Sequence, residues 1–223
     1  MNLKDVYFVT ATKKSHEEFW RTAELAKFLR KAKVSDQLYL ACNNSTPLTA
    51  LYNHAILQSE KEYIVLVHDD VVISDLFWLE KLEEGFKDYD ILGLAGAGAV
   101  EIKSPAMWHL MSDPKTWSGF VNHYVRGNPS KSFATNFGAS PMRCLIMDGL
   151  FLAVKKSRLL EKGVLFDPVF KFHHYDIDFC LQANKAGLKM TTIPLHVTHV
   201  SGGESALTEE WKDSEKLFLQ KYS

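Results

Sequence analysis

The sequence predicts an α/β fold in which a mostly parallel sheet is flanked by helices. Two patterns support this prediction: short apolar runs alternate with segments of helical periodicity, and polar residues follow several of the runs directly. Short buried strands that alternate with amphipathic helices are typical of a parallel sheet. Because ligands bind beyond the carboxyl ends of such strands, the polar residues there mark the expected site.

The predicted strands are apolar runs, which lie at residues 6–9, 38–41, 63–67, 91–95 and 150–154. The predicted helices begin at capping or turn residues, and Ser15 with Glu18 has the spacing of a capping box. The starts lie at Ser15, Thr46, about Asp75 and Thr208, and two further helices are predicted over residues 157–161 and 175–186.

Residues 99–143 break this alternation, since their aromatic side chains lie among Pro, Gly, Asn and Ser without a sustained period. We expect an elaborated loop region there. Most of its aromatic residues should fill a satellite core, and a few should line a groove in which sugar rings can stack. They are Trp108, Trp117, Phe120, Tyr124, Phe133 and Phe137. No repeat or linker divides the chain, so residues 1–223 are expected to form a single domain.

The composition argues against several classes of protein. The 223 residues carry a net charge of −1 and a pI near 6.8, which gives no general attraction to nucleic acid or to an anionic membrane. Cys42, Cys144 and Cys180 have neither disulfide-framework nor metal-site spacing, which is typical of a reducing compartment. No apolar run is long enough to span a membrane, and a secretory signal pattern is absent. We therefore expect a cytoplasmic protein without a nucleic acid partner.

The first chemical cluster is His68, Asp69 and Asp70, which follow the apolar strand at residues 63–67. Carboxylates grouped at the carboxyl end of a strand suit Mg²⁺ or Mn²⁺. A metal-bound diphosphate is then the expected ligand. The alternative is structural, because acidic residues after a strand often begin a turn or cap a helix.

The second cluster contains Asp176 and Asp178, at the start of the helix predicted over residues 175–186. Residues two apart on a helix point in nearly opposite directions, so one carboxylate should face a cleft and the other should not. Asp176 is the candidate base, and Asp178 is expected to cap the first turn. In the alternative interpretation both are caps.

The third cluster is an extended run with His196 and His199, which strand alternation places on opposite faces. At most one of them can reach the site. His199 is the candidate ligand, because it precedes Ser201-Gly202-Gly203. The alternative is a hydrogen-bonded core histidine.

Together the clusters resemble the family 2-type glycosyltransferases with the GT-A fold, over most of the chain. The resemblance rests on Phe166-Asp167-Pro168, Tyr175 to Leu181, Ala186-Gly187-Leu188, Pro194 and His199, which match spaced motifs of that family in order. Its HDD and YDID motifs are similar to those of a glycosyltransferase-like branch. The resemblance implies a Rossmann-like fold that binds a nucleotide-diphospho-sugar.

The resemblance also implies roles for individual residues. Asp176 would be the catalytic base of an inverting transfer from a nucleotide-sugar, expected to be a UDP-sugar, to a hydroxyl of a glycan or other acceptor. Mn²⁺ or Mg²⁺ would be held by Asp70 with His68 and His199. The residues expected to contact substrates are Thr10, Thr12, Asn43, Asn53 and Asp69 on the donor side, with Asp148 and Gly149 on the acceptor side.

Two other classes of protein compete with this interpretation. A silent nucleotide-sugar or glycan-binding module would keep the metal cluster and lose the base, and the presence of Asp176 argues against it. A nucleotidyltransferase would need a basic, glycine-rich loop near the first strand to hold a triphosphate. The sequence has no such loop.

Overall fold

The computed structural model describes residues 1–201 and 207–222 of the chain. Within these ranges the strands form two sheets of six strands each. The strands are β1 Val6–Ala11, β2 Leu38–Ala41, β3 Tyr63–Val67, β4 Val71–Ile73, β5 Ile91–Gly93, β6 Ala95–Ala97, β7 Trp117–Val125, β8 Phe133–Gly138, β9 Ile146–Met147, β10 Phe151–Lys155, β11 Met190–Thr192 and β12 Val197–Ser201. The helices are α1 His16–Thr22, α2 Glu24–Ala32, α3 Leu48–Gln58, α4 Trp78–Asp88, α5 Lys156–Lys162, α6 Tyr175–Lys185 and α7 Glu209–Tyr222.

The first sheet has the order β11-β5-β10-β3-β1-β2 and is mixed. Strand β1 is parallel to β2 and β3, and β11 is parallel to β5, whereas β10 is antiparallel to both of its neighbours. The prediction of a mostly parallel sheet is therefore correct for the β1 to β3 half and wrong at β10. The short connection from β9 brings the chain in beside the carboxyl end of β3, where Phe151 pairs with Val67. Because β10 starts beside the carboxyl end of β3, it runs antiparallel to β3.

The second sheet corrects the prediction of a loop region over residues 99–143. Strands β7 and β8 form an antiparallel ladder, and β7 is also paired with β6 and β12. Half-buried positions occur on both faces of β7, so its sequence lacks a clean period of two. The run at residues 91–95 also divides at Leu94, and its two halves join different sheets as β5 and β6.

Several helix boundaries differ from the predicted ones. The Ser15 cap is confirmed by its Oγ, which accepts the Glu18 amide at 3.2 Å. Helix α1 ends early, because Ala23 is extended, and α2 begins at Glu24. Thr46 is not a cap, since Pro47 precedes α3 without a side-chain hydrogen bond.

Two other helix starts agree more closely with the predictions. The helix predicted from Asp75 starts at Trp78, and Asp75 Oδ1 accepts the amide of Phe77 at 2.9 Å. The predicted cap at Thr208 is confirmed by its Oγ1, which accepts the Trp211 amide at 3.2 Å.

The C-terminal helix α7 lies against the start of α6. The ring of Phe218 is fully buried and stacks on His174 with a centroid distance of 5.6 Å. Ser214 Oγ donates to the His173 carbonyl at 2.8 Å. This packing holds α7 against the residues that immediately precede α6. None of the helices in the described ranges is long and apolar enough to cross a membrane.

Candidate active site

Two adjoining cavities, of about 1120 and 1020 Å³, open beside the carboxyl ends of β1 and β3. The smaller one, here the strand-end compartment, is lined by the loops after β1, β2 and β3, with Thr12, Lys13, Asn44, Asp69 and Asp70 among its residues. The larger one, here the aromatic compartment, is lined by residues that include Trp108, Phe133, Asp148, Asp176 and Trp211. His68, Phe172 and His173 line both, so the two compartments form one cleft.

Asp69 holds the loop after β1 in place. Its Oδ2 accepts a hydrogen bond from Thr12 Oγ1 at 2.6 Å and forms an ion pair with Lys14 Nζ at 2.6 Å. The backbone carbonyl of the same residue accepts the amide of Leu25 at 3.2 Å, which ties the turn to α2. Asp69 thus reaches the strand-end compartment as predicted, with one carboxylate oxygen already bound.

Asp70 has a different environment. Its Oδ2 lies 3.2 Å from His199 Nε2, and its buried Oδ1 has no hydrogen-bond partner in the described part of the chain. Burial raises the pKa of Asp70, but the hydrogen bond and charge of His199, with the charge of His68, outweigh it and hold that pKa below its usual range. Burial alone would lower the pKa of His199. The hydrogen bond to Asp70 and the charge of that carboxylate have the larger effect, so the pKa of His199 is raised above its usual value. The two side chains form an ion pair at the junction of the compartments.

His68 is held at the junction by two contacts. Its amide donates to the Leu150 carbonyl at 3.2 Å, and its Nε2 lies 3.3 Å from Tyr175 Oη. Burial lowers the pKa of His68, and the partial compensation by Asp70 and Asp148 does not reverse the shift. Burial therefore favours the neutral form of the imidazole.

The residues predicted to bind a metal do not form a complete cage. Within the described ranges no group of three or more His, Cys, Asp or Glu side chains is placed to hold a metal ion. The unpartnered Oδ1 of Asp70 nevertheless offers one ligand, and the adjacent His199 would offer a second once metal binding displaces a proton from its ring. Magnesium is usually held by one or two carboxylates together with phosphate oxygens and water. The donor set therefore fits a cation shared with a bound diphosphate.

Asp176 lies on the aromatic side, where the Gly149 amide donates to its Oδ2 at 2.8 Å. Burial raises the pKa of Asp176 to about 7, helped by the charge of Asp148 and partly opposed by backbone amides. A carboxylate whose pKa lies near neutrality is well matched to general base catalysis. Asp176, Asp148 and Gly149 therefore come together, as the sequence predicted.

Asp178 corrects the prediction that it caps the first turn. Its side chain is fully buried, its Oδ2 accepts from Gln182 Nε2 at 2.7 Å, and its Oδ1 contacts Tyr222 Oη at 2.7 Å and Lys221 Nζ at 2.6 Å. The carboxylate thus joins α6 to α7. The prediction that the two aspartates address different sides of the helix is correct.

Three predicted substrate contacts do not reach the cleft. Thr10 is fully buried within β1, and Asn43 lies on an exposed turn with a φ of 47°. Both ends of the Asn53 amide bond the backbone of Phe166, at 2.8 Å each. None of the three lines either compartment. An asparagine side chain that could hydrogen-bond a nucleotide can equally hydrogen-bond the backbone of another segment. The sequence alone does not show which of these partners it has.

Other cleft residues were not predicted. Lys13 and Asn44 lie next to predicted residues, and Lys13 Nζ donates to the Asn44 carbonyl at 2.8 Å. Lys171, Phe172 and His173 directly precede the Tyr175-Asp176 motif, and this position is the signal that could have identified them. The residues of α7 had no such signal, because their approach to the cleft depends on long-range packing.

The aromatic residues of 99–143 divide only in part between core and cleft as expected, since Phe120 and Tyr124 are exposed and line neither compartment. Trp108 packs edge-on against Phe137 and Trp117, with centroid distances of 5.0 and 5.9 Å. Phe133 and Phe172 line the cavity and are each 58% exposed. The exposed rings provide apolar faces on which a sugar can stack.

Comparisons with known proteins identify the fold and the family of the chain. The crystal structure of A197 from STIV superposes with a TM-score of 0.50 at 11% identity and covers 85% of this chain and 81% of that chain, which shows a shared fold. ATP synthase subunits region ORF 6 of Fuscovulum blasticum is 25% identical over 166 residues, or 72% of this chain. Those residues are 59% of that protein, so the chain spans less than two thirds of this relative. The model of the glycosyltransferase-like family matches residues 8–222, and the chain belongs to that family.

Proposed function

We propose that the protein transfers a sugar from a nucleoside diphosphate donor to a hydroxyl acceptor, as a GT-A enzyme that inverts the anomeric centre. The observation that carries this proposal is Asp176. It is a carboxyl group with a pKa raised to about 7, fixed by the Gly149 amide in the compartment that adjoins the polar strand-end compartment. Membership of the glycosyltransferase-like family supports the reaction class.

The donor occupies the strand-end compartment in this proposal. Lys13 and Lys171 line it and supply positive charge for a diphosphate. Thr12 and Asn44 line the same wall and can bond a nucleoside, expected to be uridine. Asp70 and His199 would hold Mn²⁺ or Mg²⁺, with His68 beside them. A divalent ion there would stabilise the negative charge that develops on the departing diphosphate.

The acceptor lies in the aromatic compartment, with its hydroxyl against Asp176. The carboxylate takes the hydroxyl proton as the oxygen attacks the anomeric carbon. The bond from that carbon to the diphosphate oxygen breaks on the opposite face, so the configuration inverts. Exposed rings such as Phe133 and Phe172 hold the acceptor and keep water away from the reacting atoms.

Calorimetry tests the first step of the proposal. Wild-type protein is titrated with UDP and a panel of UDP-sugars, with and without Mn²⁺, and donor hydrolysis is then followed for every ligand that binds. We expect binding that depends on the metal, together with slow hydrolysis of one donor. The absence of nucleotide binding at millimolar ligand would refute the proposal. Binding without hydrolysis or transfer to any acceptor would identify a silent binding module.

A further inference from the structure

Tyr175 connects the two compartments through an unbroken series of short contacts. Its hydroxyl lies 3.3 Å from His68 Nε2 and donates to the Gly149 carbonyl at 3.1 Å. The amide of the same glycine donates to Asp176 Oδ2 at 2.8 Å. The series therefore runs from the strand turn on the donor side to the candidate base.

Hydrogen-bond donors can be assigned along this series. A phenol carries one proton, and a carbonyl can only accept. Tyr175 Oη donates to the Gly149 carbonyl, and leaving that buried carbonyl unpaired would be unfavourable. With that proton committed, the phenol oxygen can meet His68 Nε2 favourably only as an acceptor, which favours the imidazole that carries its proton on Nε2.

Close packing around Gly149 restricts the positions of the side chains in this series. A Cβ atom at that position would lie 2.3 Å from Tyr175 Oη and 2.9 Å from Asp176 Cβ. The tyrosine and the aspartate thus both pack directly on the glycine backbone. A shift of the phenol toward the glycine would therefore displace the backbone whose amide binds Asp176.

We propose that Tyr175 is a positioning residue that fixes His68 as the Nε2–H tautomer and holds the Gly149 amide against Asp176. The imidazole can then meet a metal or diphosphate only through Nδ1. Occupancy of the donor compartment is thereby linked to the geometry of the base. The part of this proposal that concerns turnover rests on the function proposed above, and the tautomer does not.

The tautomer is measured by ¹⁵N NMR of the histidine rings in wild-type protein, with the His68 signals identified by their loss in His68→Gln. We expect a protonated Nε2 and an unprotonated Nδ1 at neutral pH. The opposite tautomer would overturn the proposal whether or not the protein transfers sugar.

Tyr175→Phe tests the positioning role, with Tyr63→Phe as the matched control. Tyr63 is on the strand that leads to His68, but it lines neither compartment. In Tyr175→Phe we expect the preference for the Nε2–H tautomer to be lost and the Gly149 amide resonance to shift. The kcat should fall by about tenfold or more while the donor KM stays within about twofold. Tyr63→Phe should change none of these quantities.

The outcomes separate positioning from simple stability. If Tyr175→Phe lowers the melting temperature but keeps the wild-type tautomer, Gly149 resonance and kcat, the hydroxyl is merely structural and the proposal is wrong. If wild-type protein has no transferase activity but shows the expected tautomer and its loss in Tyr175→Phe, the contact series stands and the proposed function fails.

Discussion

The two compartments of the cleft differ in the environments of their carboxylates. In the strand-end compartment Asp69 is paired with Lys14, and Asp70 with His199. In the aromatic compartment Asp148 and Asp176 lie close enough for one to raise the pKa of the other, and no ion pair within the described ranges involves either. Paired charges organise a binding surface, whereas an uncompensated carboxylate retains a proton near neutrality and can exchange it during a reaction. This difference is the basis on which we propose binding for one compartment and chemistry for the other.

The strongest way to break this division is to remove the base. Asp176→Asn keeps the shape of the side chain and an acceptor for the Gly149 amide, but it cannot take a proton. Turnover should fall by about a hundredfold or more while donor affinity stays within about twofold. Steady-state kinetics and calorimetry measure the two quantities.

Asp178→Asn is the matched control for that experiment. The same substitution, two residues along the helix, weakens the buried contacts with Lys221 and Tyr222. It should lower the free energy of unfolding by about 3 kcal/mol and leave turnover per folded molecule unchanged. If Asp178→Asn abolished turnover and Asp176→Asn did not, the assignment of the two carboxylates would be reversed.

A second prediction concerns metal-dependent nucleotide binding in the strand-end compartment. Asp70→Ala removes the unpartnered carboxylate oxygen and the partner of His199. Affinity for UDP in the presence of Mn²⁺ should fall about tenfold or more and become the same with and without the metal. Asp36→Ala, which removes an exposed carboxylate outside the cleft, should bind like wild type. Unchanged metal dependence in Asp70→Ala would exclude Asp70 as a ligand.

A third prediction concerns the backbone that supports the base. In Gly149→Ala the new Cβ would overlap Tyr175 and Asp176, so the free energy of unfolding should fall by about 2–3 kcal/mol and turnover should fall with it. Gly163→Ala is the control, because its φ is +64° but no heavy atom lies within 4 Å of the added Cβ. It should cost about 1–2 kcal/mol through backbone strain alone and keep its turnover. Equal turnover in the two variants, measured per folded molecule, would argue against close packing at Gly149.

The smallest expected effect is the pH dependence of stability. The pKa of Asp176 is raised from 3.8 to about 7 in the folded state, so between these values the folded protein binds more protons than the unfolded chain. Its contribution to stability therefore falls as the pH rises from about 4 to 7. Relative to wild type, Asp176→Asn should become progressively more stable as the pH rises from about 4 to 8, and the difference should vanish below about pH 4. Denaturant titrations across this range would contradict the raised pKa if the difference were independent of pH.

The predictable parts of the molecule are those determined locally. Strands β1 and β3 are buried on both faces and therefore appear as continuous apolar runs, and helical geometry separates Asp176 from Asp178. Two partners of Asp178, Lys221 and Tyr222, lie more than 40 residues away on α7, so their contact could not be inferred from spacing. Strand β7 mixes polar and aromatic residues on two half-covered faces, which conceals its period. The aromatic half of the cleft was thus less visible in the sequence than the strand-end half.

The most direct test of the division between binding and chemistry is an NMR titration of ¹⁵N-labelled protein with UDP and Mg²⁺. The first amide resonances to shift should be those of Thr12, Asn44 and residues 68–70, while those of Phe133 and neighbouring residues of β8 should stay in place until a sugar acceptor is added. Shifts confined to the aromatic compartment, or no shift at millimolar UDP, would contradict the account.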